Sequence, residues 1–495
     1  MSAPSGLARK SIGTGSLFFF CVGASAPMTV LAGGVVATYA ATGVLGVPLS
    51  FLALGAALAF FTVGYVAMAR YVPHAATFYA LLARGLGRTT GMVGGTVSLL
   101  AYNSIQISLY GLLGAIVQHL VGGTWWIWAA VAWAIVGLLG VLHININARV
   151  LVVLLVVEIA VIVLFDVASF THPANGITLA PLAPNSLFVN GIGGVFALGI
   201  AAFVGYESAP FYGEEARRPQ VVSRASFGAL VFIALFYALS SWAMAIAEGT
   251  QSVGSGPDAA PGVVVAARDP SSGVPFSILE GHYGTIVSDL AQLLLITSIV
   301  AAAISFHNSI ARYVFAMARE RVLPARLAHI RPGTRGGAPI GGSLLQSAIA
   351  LLVVAPFAAL GADPFATLFT WLSALAAIGV LVLMFTTCVA VIAFFRRGGG
   401  GGGESSWQRL WAPGIGAVVL AAIGVVTVVN LDSVLNSPGS PLRWILPALI
   451  ALAALVGIVW GQVLQRTRPE VYRSIGAGET EPLEVLEHAL ANIKV

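Results

Sequence analysis

Charged residues are scarce in this chain of 495 residues: Asp, Glu, Lys and Arg make up 9% of it, whereas apolar residues make up 58%. A soluble protein carries about 25% charged residues, so this chain has too little charge to cover a surface that faces water. The mean hydropathy of +0.93 agrees with this. The composition therefore excludes an ordinary soluble protein and predicts that lipid surrounds most of the chain.

Cysteine is almost absent, and so are the sequence signatures of catalysis. Cys21 and Cys388 lie in separate apolar runs, which excludes a disulfide framework or a cysteine metal site, and we interpret both as buried packing residues. The net charge of +5 is spread over short loops, which argues against a nucleic-acid partner. No nucleotide loop, nucleophile–base pair or metal constellation is visible, so we expect neither an enzyme nor a cofactor.

What the sequence does contain is a series of twelve long apolar runs, each of about the length that crosses a membrane as a helix. Continuous runs favour helices over a barrel, whose strands alternate over roughly ten residues. The first run follows Arg9-Lys10 and is too long for a cleaved signal peptide, so we expect it to be retained. The predicted spans are 15–42, 46–70, 91–119, 125–143, 150–170, 190–212, 225–248, 285–315, 341–361, 365–395, 409–430 and 444–464.

The placement of Lys and Arg predicts the orientation. With the N-terminus inside, all of the 24 lysines and arginines except Arg268 and Arg443 fall on the inner side. We therefore expect a multi-pass protein of the plasma membrane (the inner membrane of a bacterial cell) with both termini in the cytoplasm. The predicted segments are an N-tail at 1–14, helices one to six at 15–212, helices seven to ten at 213–395, a glycine-rich cytoplasmic loop at 396–408, two further helices at 409–464 and a C-tail at 465–495.

Two predicted spans contain helix breakers near the middle of the membrane. Span one carries Ser25-Ala26-Pro27, and span six carries Ser208-Ala209-Pro210, 183 positions later. Proline removes a backbone donor, and a broken helix at this depth is tolerated only inside protein or beside a polar cavity. Transporters built from inverted repeats bind their substrates at such breaks. The candidate contacts at the first break are Ser25, Ala26, Met28 and Thr29.

Ionisable residues inside membrane spans are costly and are functional candidates by default. Glu207 lies in the second break and is a candidate proton carrier or partner for an amine, and Glu158 in span five is a candidate for coupling or gating. His307 in span eight titrates near neutral pH when unperturbed, although it also suits an interhelical bond. Asp166 and Asp289 lie near the outer ends of their spans, where we expect both to be solvated.

Polar and aromatic side chains complete the candidate site. In span three, Tyr102 is followed by Asn103 and Gln106, which share a helix face and either line a pocket or join helices. Aromatic faces suit an ammonium group. The aromatic candidates in the other spans are Phe203, Tyr206, Phe306 and Trp371.

The stretch 205–220, Gly-Tyr-Glu-Ser-Ala-Pro-Phe-Tyr-Gly-Glu-Glu-Ala-Arg-Arg-Pro-Gln, resembles the sixth span and following loop of the amino acid–polyamine–organocation permeases. The stretch 308–324, which contains Ala311-Arg312-Tyr313 and ends at Pro324, resembles that family's eighth span. The resemblance covers about residues 15–465. It implies an all-α, LeuT-like fold with a five-plus-five inverted repeat and two added C-terminal helices.

The resemblance also implies a central site between spans one, three, six, eight and ten. It places Glu207 at a substrate- or proton-sensing glutamate, Asn103 and Gln106 at pocket positions, and Phe306 at a pocket aromatic. Glu158 falls where some relatives have a lysine in place of a sodium ion. The first break departs from the family's Gly-Ser-Gly pattern, because Pro27 offers no amide to a carboxylate, and this favours an amine or a cationic amino acid.

The functional prediction is a secondary active transporter that takes up an amino acid or related amine, with a proton rather than sodium as the coupling ion. An exchanger of amino acids or polyamines uses the same residues and stays open as an alternative. Thr297-Ser298 is a possible contributor to a sodium site. Channels are often rings of identical subunits around one filter. The internal repeat within this single chain does not suggest such a ring, so a channel is disfavoured.

The predicted orientation is testable by labelling in whole cells. A cysteine introduced for Gly401, in the cytoplasmic loop, is expected to resist a membrane-impermeant maleimide, whereas one introduced for Ser255, in the outer loop, is expected to react. The reverse pattern would invert the topology. The background variant replaces Cys21 and Cys388 with Ala.

Overall fold

The computed structural model describes residues 12–142, 148–213, 215–250, 262–269, 272–330, 339–435, 439 and 441–478. The predicted N-tail before Ile12 and the C-tail beyond Gly478 lie outside these residues. The described part of the chain is helical, apart from turns, loops and two isolated β-bridges that join Ile12 to Ala216 and Ile330 to Pro339.

Every predicted span corresponds to a helix or a broken helix. Among the described residues, eleven are long and apolar enough to cross a membrane, and the fourth is a shorter apolar helix. We name them spans one to twelve: Thr14–Thr42, Val47–Ala69, Arg88–Val121, Trp125–Leu142, Ala148–Thr171, Ile192–Tyr212, Pro219–Glu248, Thr285–Arg319, Ile340–Ala359, Pro364–Arg396, Trp407–Val429 and Leu442–Thr467.

Four spans depart from regular α-helix. Span one consists of Thr14–Ser25, Pro27–Thr29, a π-helical stretch Val30–Val35, and Val36–Thr42. Span six consists of an α-helix Ile192–Phe203 and a 3₁₀-helix Tyr206–Tyr212. Spans ten and eleven begin with π-helical stretches, Pro364–Phe369 and Trp407–Trp411.

Short helices connect the spans on both sides. The helix Thr77–Leu86 lies between spans two and three, and Phe276–Tyr283 precedes span eight. The remaining short helices are Ala180–Leu182, Pro184–Leu187, Val263–Arg268, Ala325–Ala328, Asp432–Leu435 and Pro469–Ser474.

Span six lies at the centre of the bundle. In the most apolar 18-residue stretch of span six, 89% of the residues are buried, whereas in that of span twelve only 17% are buried. Span three packs against spans eight, ten and twelve, and span seven packs against spans one, two and five. The two broken spans are therefore held inside the protein, while spans eleven and twelve add an outer layer. Cys21 and Cys388 are free and buried, as predicted.

Asp166 corrects an expectation, because it is not solvated. Its side chain is buried, and its Oδ2 accepts a hydrogen bond of 3.0 Å from the Ser240 hydroxyl, so it joins spans five and seven. The helix position was right, but the sequence did not show that Ser240 covers it. Asp289 is exposed at the surface of the chain, in agreement with the expectation.

Glu320, just after span eight, joins three segments that lie outside the spans. Its carboxylate accepts hydrogen bonds from His74 Nε2 (3.0 Å), the Tyr79 hydroxyl (2.5 Å) and the backbone N–H groups of Gly476 (2.9 Å) and Gly478 (3.0 Å). The Nδ1 atom of His74 accepts from a backbone N–H, which leaves the proton on Nε2. The C-terminal segment is thereby attached to the loop after span two and to the end of span eight.

These donors decide the charge of Glu320. Burial by itself raises the pKa of this carboxyl, but hydrogen bonds from His74, Tyr79 and the Gly478 N–H outweigh burial and hold the pKa below its ordinary value. A group with a lowered folded-state pKa stabilises the fold above its unfolded pKa, and this stabilisation is lost as the pH falls through the folded pKa. Glu320 is therefore ionised at neutral pH.

The exchange Glu320→Gln replaces an acceptor of four hydrogen bonds with a neutral amide. We expect a loss of about 1.5–3 kcal/mol, the usual contribution of hydrogen bonds to a charged group, as a lower thermal unfolding temperature in detergent at pH 7. The difference from wild type should shrink in acid, where the wild-type carboxyl is also protonated. Glu470→Gln, at an exposed glutamate on the same C-terminal segment, is the control. An unfolding temperature for Glu320→Gln equal to that of the control would contradict this account.

Candidate functional site

The breaks in spans one and six lie against each other. Span one breaks at Ala26, whose φ of 52° is left-handed, and the following Pro27 has no N–H to continue the helix. Span six breaks at Gly205, with φ of 116°. The Ser25 hydroxyl donates a 3.0 Å hydrogen bond to the carbonyl of Ala202, which ties the two breaks together. The predicted breaks are therefore present, and they meet inside the bundle.

A cavity lies beside the two breaks, and we call it the central cavity. Spans one, three, six, eight and ten line it. It offers about 50 Å³ to the centres of water-sized molecules, and since one water needs about 10–15 Å³ on this measure, it has room for a few waters or a small ligand. Of the residues proposed from the sequence, four line it: Ser25, Ala26, Thr29 and Phe306.

Sequence reasoning missed most of the apolar wall. Ile105 and Leu109 lie one turn apart on span three, beside the polar residues that attracted attention. Ser373 is a buried hydroxyl in span ten that a search for intramembrane polar residues would have found. The apolar members carried no comparable signal. They are Val30, Gly34, Leu198, Ala201, Ala202, Val204, Ala302 and Phe369, with Ala24 at the break.

Glu207 is fully buried and caps the second half of span six. Its Oε2 accepts the Gly205 N–H at 2.9 Å, and its Oε1 accepts the Tyr102 hydroxyl at 2.6 Å. The Tyr65 hydroxyl donates to its backbone carbonyl at 3.0 Å. The carboxylate is outside the wall of the central cavity, but the ring of Tyr102 packs against Phe306, which belongs to that wall, with 6.4 Å between ring centroids.

Glu158, in span five, accepts a backbone N–H at the break of span one. Its Oε1 accepts the Met28 N–H at 2.5 Å and the Ser298 hydroxyl at 2.8 Å. The Thr29 hydroxyl donates in turn to Ser298 at 3.1 Å. One carboxylate therefore joins spans one, five and eight immediately after the break.

Glu158 also lies between two cavities. Thr29 lines the central cavity, whereas Glu158 and Ser298 line a second cavity of similar size, on the side where span one begins. The second cavity is enclosed by spans one, five and eight and includes Phe20, Thr297 and Ser305. The chain Thr29–Ser298–Glu158 thus connects the walls of both cavities through hydroxyl groups.

The other candidates of span three lie outside the central cavity. The Asn103 amide donates to the carbonyl of Leu99 on its own helix at 2.7 Å. The Gln106 amide donates to the Tyr110 hydroxyl at 2.6 Å, and its oxygen accepts from Gln346 of span nine. Gln106 therefore joins helices in this structure.

The remaining candidates also pack between helices. His307 Nε2 is 2.7 Å from the Ser343 hydroxyl, between spans eight and nine. Phe203 is buried against Phe51 and Tyr206, and the Tyr206 hydroxyl is 3.2 Å from that of Thr62. Trp371 packs edge-on against Phe357, and Met28 contributes its N–H to Glu158.

Comparison with known proteins agrees with this architecture. A family model described as amino acid permease matches residues 16–470. A comparison with curated proteins gives no match. Among solved structures, the chain is similar to the manganese transporter of Eremococcus coleocola in complex with an aromatic bis-isothiourea substituted compound (13% identity, TM-score 0.56, covering 94% of this chain and 100% of that chain). A histidine-to-alanine mutant of that transporter gives 12% identity and a TM-score of 0.53, covering 92% and 95% of the two chains. At this identity the likeness concerns the fold alone, and it confirms the all-α, LeuT-like prediction.

The contact between the two breaks predicts a sensitive glycine. A Cβ atom at Gly205 would lie 2.9 Å from the Cβ of Ala24, and its φ is one that side-chain-bearing residues rarely adopt. We expect Gly205→Ala to cost about 1–3 kcal/mol through backbone strain, with more from the clash, seen as a lower unfolding temperature. The control Gly424→Ala, where a Cβ meets nothing within 4 Å, should unfold like wild type. Equal unfolding of the two variants would refute the close contact.

Proposed function

The chain belongs to the amino acid permease family, and from that premise we propose that it is a secondary active transporter that takes up an amino acid or a related amine together with protons. The family match spans nearly all of the membrane region, and the resemblance to the amino acid–polyamine–organocation permeases agrees with it. In alternating access, one central site opens first to one side of the membrane and then to the other. On this proposal both termini face the cytoplasm of the cell whose plasma membrane holds the protein.

The observation that carries the proposal is the central cavity at the two touching breaks. Such breaks expose backbone groups that have lost their helical partners, and these groups suit the polar end of a small solute. The apolar wall formed by spans three, six, eight and ten suits its remaining body. Ser25, Ala26 and Thr29 then contact the substrate at the first break, and Phe306 closes over it.

Coupling is assigned to the two glutamates at the breaks. Glu158 is connected to the central cavity through Ser298 and Thr29, and it borders the second cavity directly. A proton that reaches Glu158 from the central side can therefore pass to the second cavity, on the side where span one begins. Protonation also weakens its hold on the Met28 N–H, and so loosens the joint between spans one, five and eight.

Glu207 binds a backbone N–H at the break in span six, as Glu158 does at the break in span one. Its bond to Tyr102 joins span six to span three, and Tyr102 packs on Phe306 in the cavity wall. Substrate in the cavity can thus alter the surroundings of Glu207 through these two rings. His307 bonds to Ser343 away from both cavities, so we give it no direct contact with substrate.

The coupling assignment is tested in proteoliposomes with an inward proton gradient. Proton influx is followed with an internal pH dye after addition of leucine, isoamylamine or putrescine. We expect Glu207→Gln and Glu158→Gln to abolish gradient-driven influx, because neither amide binds and releases a proton in this pH range. Asp289→Asn, at an exposed carboxylate, should behave as wild type.

Normal, pH-dependent influx in Glu207→Gln would remove Glu207 from the coupling role. Uptake that occurs only when the vesicles are preloaded with a second solute would instead identify an exchanger. If none of these solutes, and no other amino acid or amine, moves in wild type, the proposed function fails.

A further inference from the structure

The start of a helix is a natural place to bind a substrate carboxylate, because its first N–H groups have no partners within the helix. At the break in span one, the first three positions offer no free N–H group. The Ala26 N–H bonds to the carbonyl of Val22 at 3.1 Å, Pro27 has no N–H, and the Met28 N–H bonds to Glu158 at 2.5 Å. A substrate carboxylate would have to displace the carboxylate of Glu158.

At the break in span six, two N–H groups are also bonded within the chain. The Gly205 N–H bonds to the Glu207 carboxylate at 2.9 Å, and the Ser208 N–H bonds to the Gly205 carbonyl at 3.0 Å. Each break thus has a glutamate of the chain itself where an anionic ligand group would bind. A second carboxyl group at either break would compete with the glutamate for the same N–H group, and beside an ionised glutamate it would also meet like charge in a medium of low dielectric constant.

Several backbone carbonyls at the two breaks, in contrast, have lost their helical donors. In an unbroken helix the carbonyls of Gly23 and Ala24 would accept from residues 27 and 28, but Pro27 has no N–H and that of Met28 is bonded to Glu158. The carbonyl of Val204 loses its helical donor too, since the Ser208 N–H bonds to Gly205. Ala24 and Val204 both line the central cavity. The unpaired carbonyls of Ala24 and Val204 therefore belong to residues of the cavity wall, and carbonyl acceptors suit an ammonium group.

The rest of the wall limits the substrate to one charge. Among the described residues that line the central cavity there is no Asp, Glu, Lys, Arg or His. Besides the backbone, its polar groups are the hydroxyls of Ser25, Thr29 and Ser373, and Phe306 and Phe369 offer aromatic faces. A second ammonium group at the far end of a diamine would be buried without a counter-charge, which is costly.

We propose that the central cavity takes a monoamine that has an apolar body and no carboxylate. This inference rests on the proposed function and narrows its substrate class, against α-amino acids and against polyamines. The ammonium group lies at the carbonyl ends of the first half-helices, and the apolar body faces Ile105, Leu109 and Phe306.

The test compares matched ligands on the full chain in detergent. Leucine, isoamylamine and isocaproate share one carbon skeleton and differ in carrying both charged groups, only the amine or only the carboxylate. Butylamine and putrescine differ by one ammonium group. A ligand that binds the folded state raises its unfolding temperature by mass action. We expect a larger rise with isoamylamine than with leucine or isocaproate, and a larger rise with butylamine than with putrescine.

Two variants of Glu158 test the cause of the selectivity. Glu158→Ala frees the Met28 N–H and removes an acidic group. The rise in unfolding temperature with leucine should therefore increase relative to the rise with isoamylamine. Glu158→Gln keeps an acceptor oxygen for that N–H, so the rise in unfolding temperature with leucine should increase less in this variant. Glu207→Ala applies the same test to the Gly205 N–H if Glu158→Ala does not fold.

The outcomes separate this inference from the proposed function. A larger rise with leucine than with isoamylamine in wild type, or with putrescine than with butylamine, overturns the monoamine inference and leaves an amino acid or polyamine transporter. Unchanged selectivity in the alanine variants overturns the role given to the glutamates. No rise and no uptake with any ligand in any variant overturns the proposed function itself.

Discussion

The structure depends on how it satisfies backbone groups at two points where membrane helices stop. In lipid an unpaired N–H or carbonyl is costly, so a break is possible only where other parts of the protein or a polar cavity supply partners. At the first break that partner is Glu158, which holds the Met28 N–H, and at the second it is Glu207, which holds the Gly205 N–H. The two glutamates therefore have a structural role that does not depend on any transport mechanism.

Those same bonds connect the breaks to the surrounding spans. Glu158 brings span five against spans one and eight through Ser298, and Glu207 brings span six against span three through Tyr102. Whatever alters either carboxylate also alters a joint between helices. On the proposed function, this gives a physical route from a proton to a movement of helices, because the proposed proton carrier is also the group that holds the interrupted backbone. A transporter needs this kind of connection between ion binding and opening.

Glu320 shows how a carboxylate behaves when it serves the fold alone. It lies outside the membrane spans, receives hydrogen bonds from four donors, and has a pKa below its ordinary value. Its charge is fixed at neutral pH, so it fastens the C-terminal segment to the loop after span two. Among the described residues, Glu158 has two donors, and it borders a cavity from which a proton can reach it on the proposed function.

Local sequence rules were enough to predict the number of spans, both breaks and the choice of Glu158 and Glu207 as functional candidates. A helix that crosses lipid needs a long apolar run, and Pro27 has no N–H with which to continue the preceding helix. A carboxylate inside the membrane is costly, so it is a functional candidate by default. Which side chains share a cavity depends on how the helices pack, and the sequence did not show it. Gln106 turned out to face Gln346 and His307 to face Ser343, while Ile105, Val204 and Ser373 line the cavity. The rotation of each helix is set by packing against its neighbours, and in spans that are apolar on all sides no sequence periodicity records it.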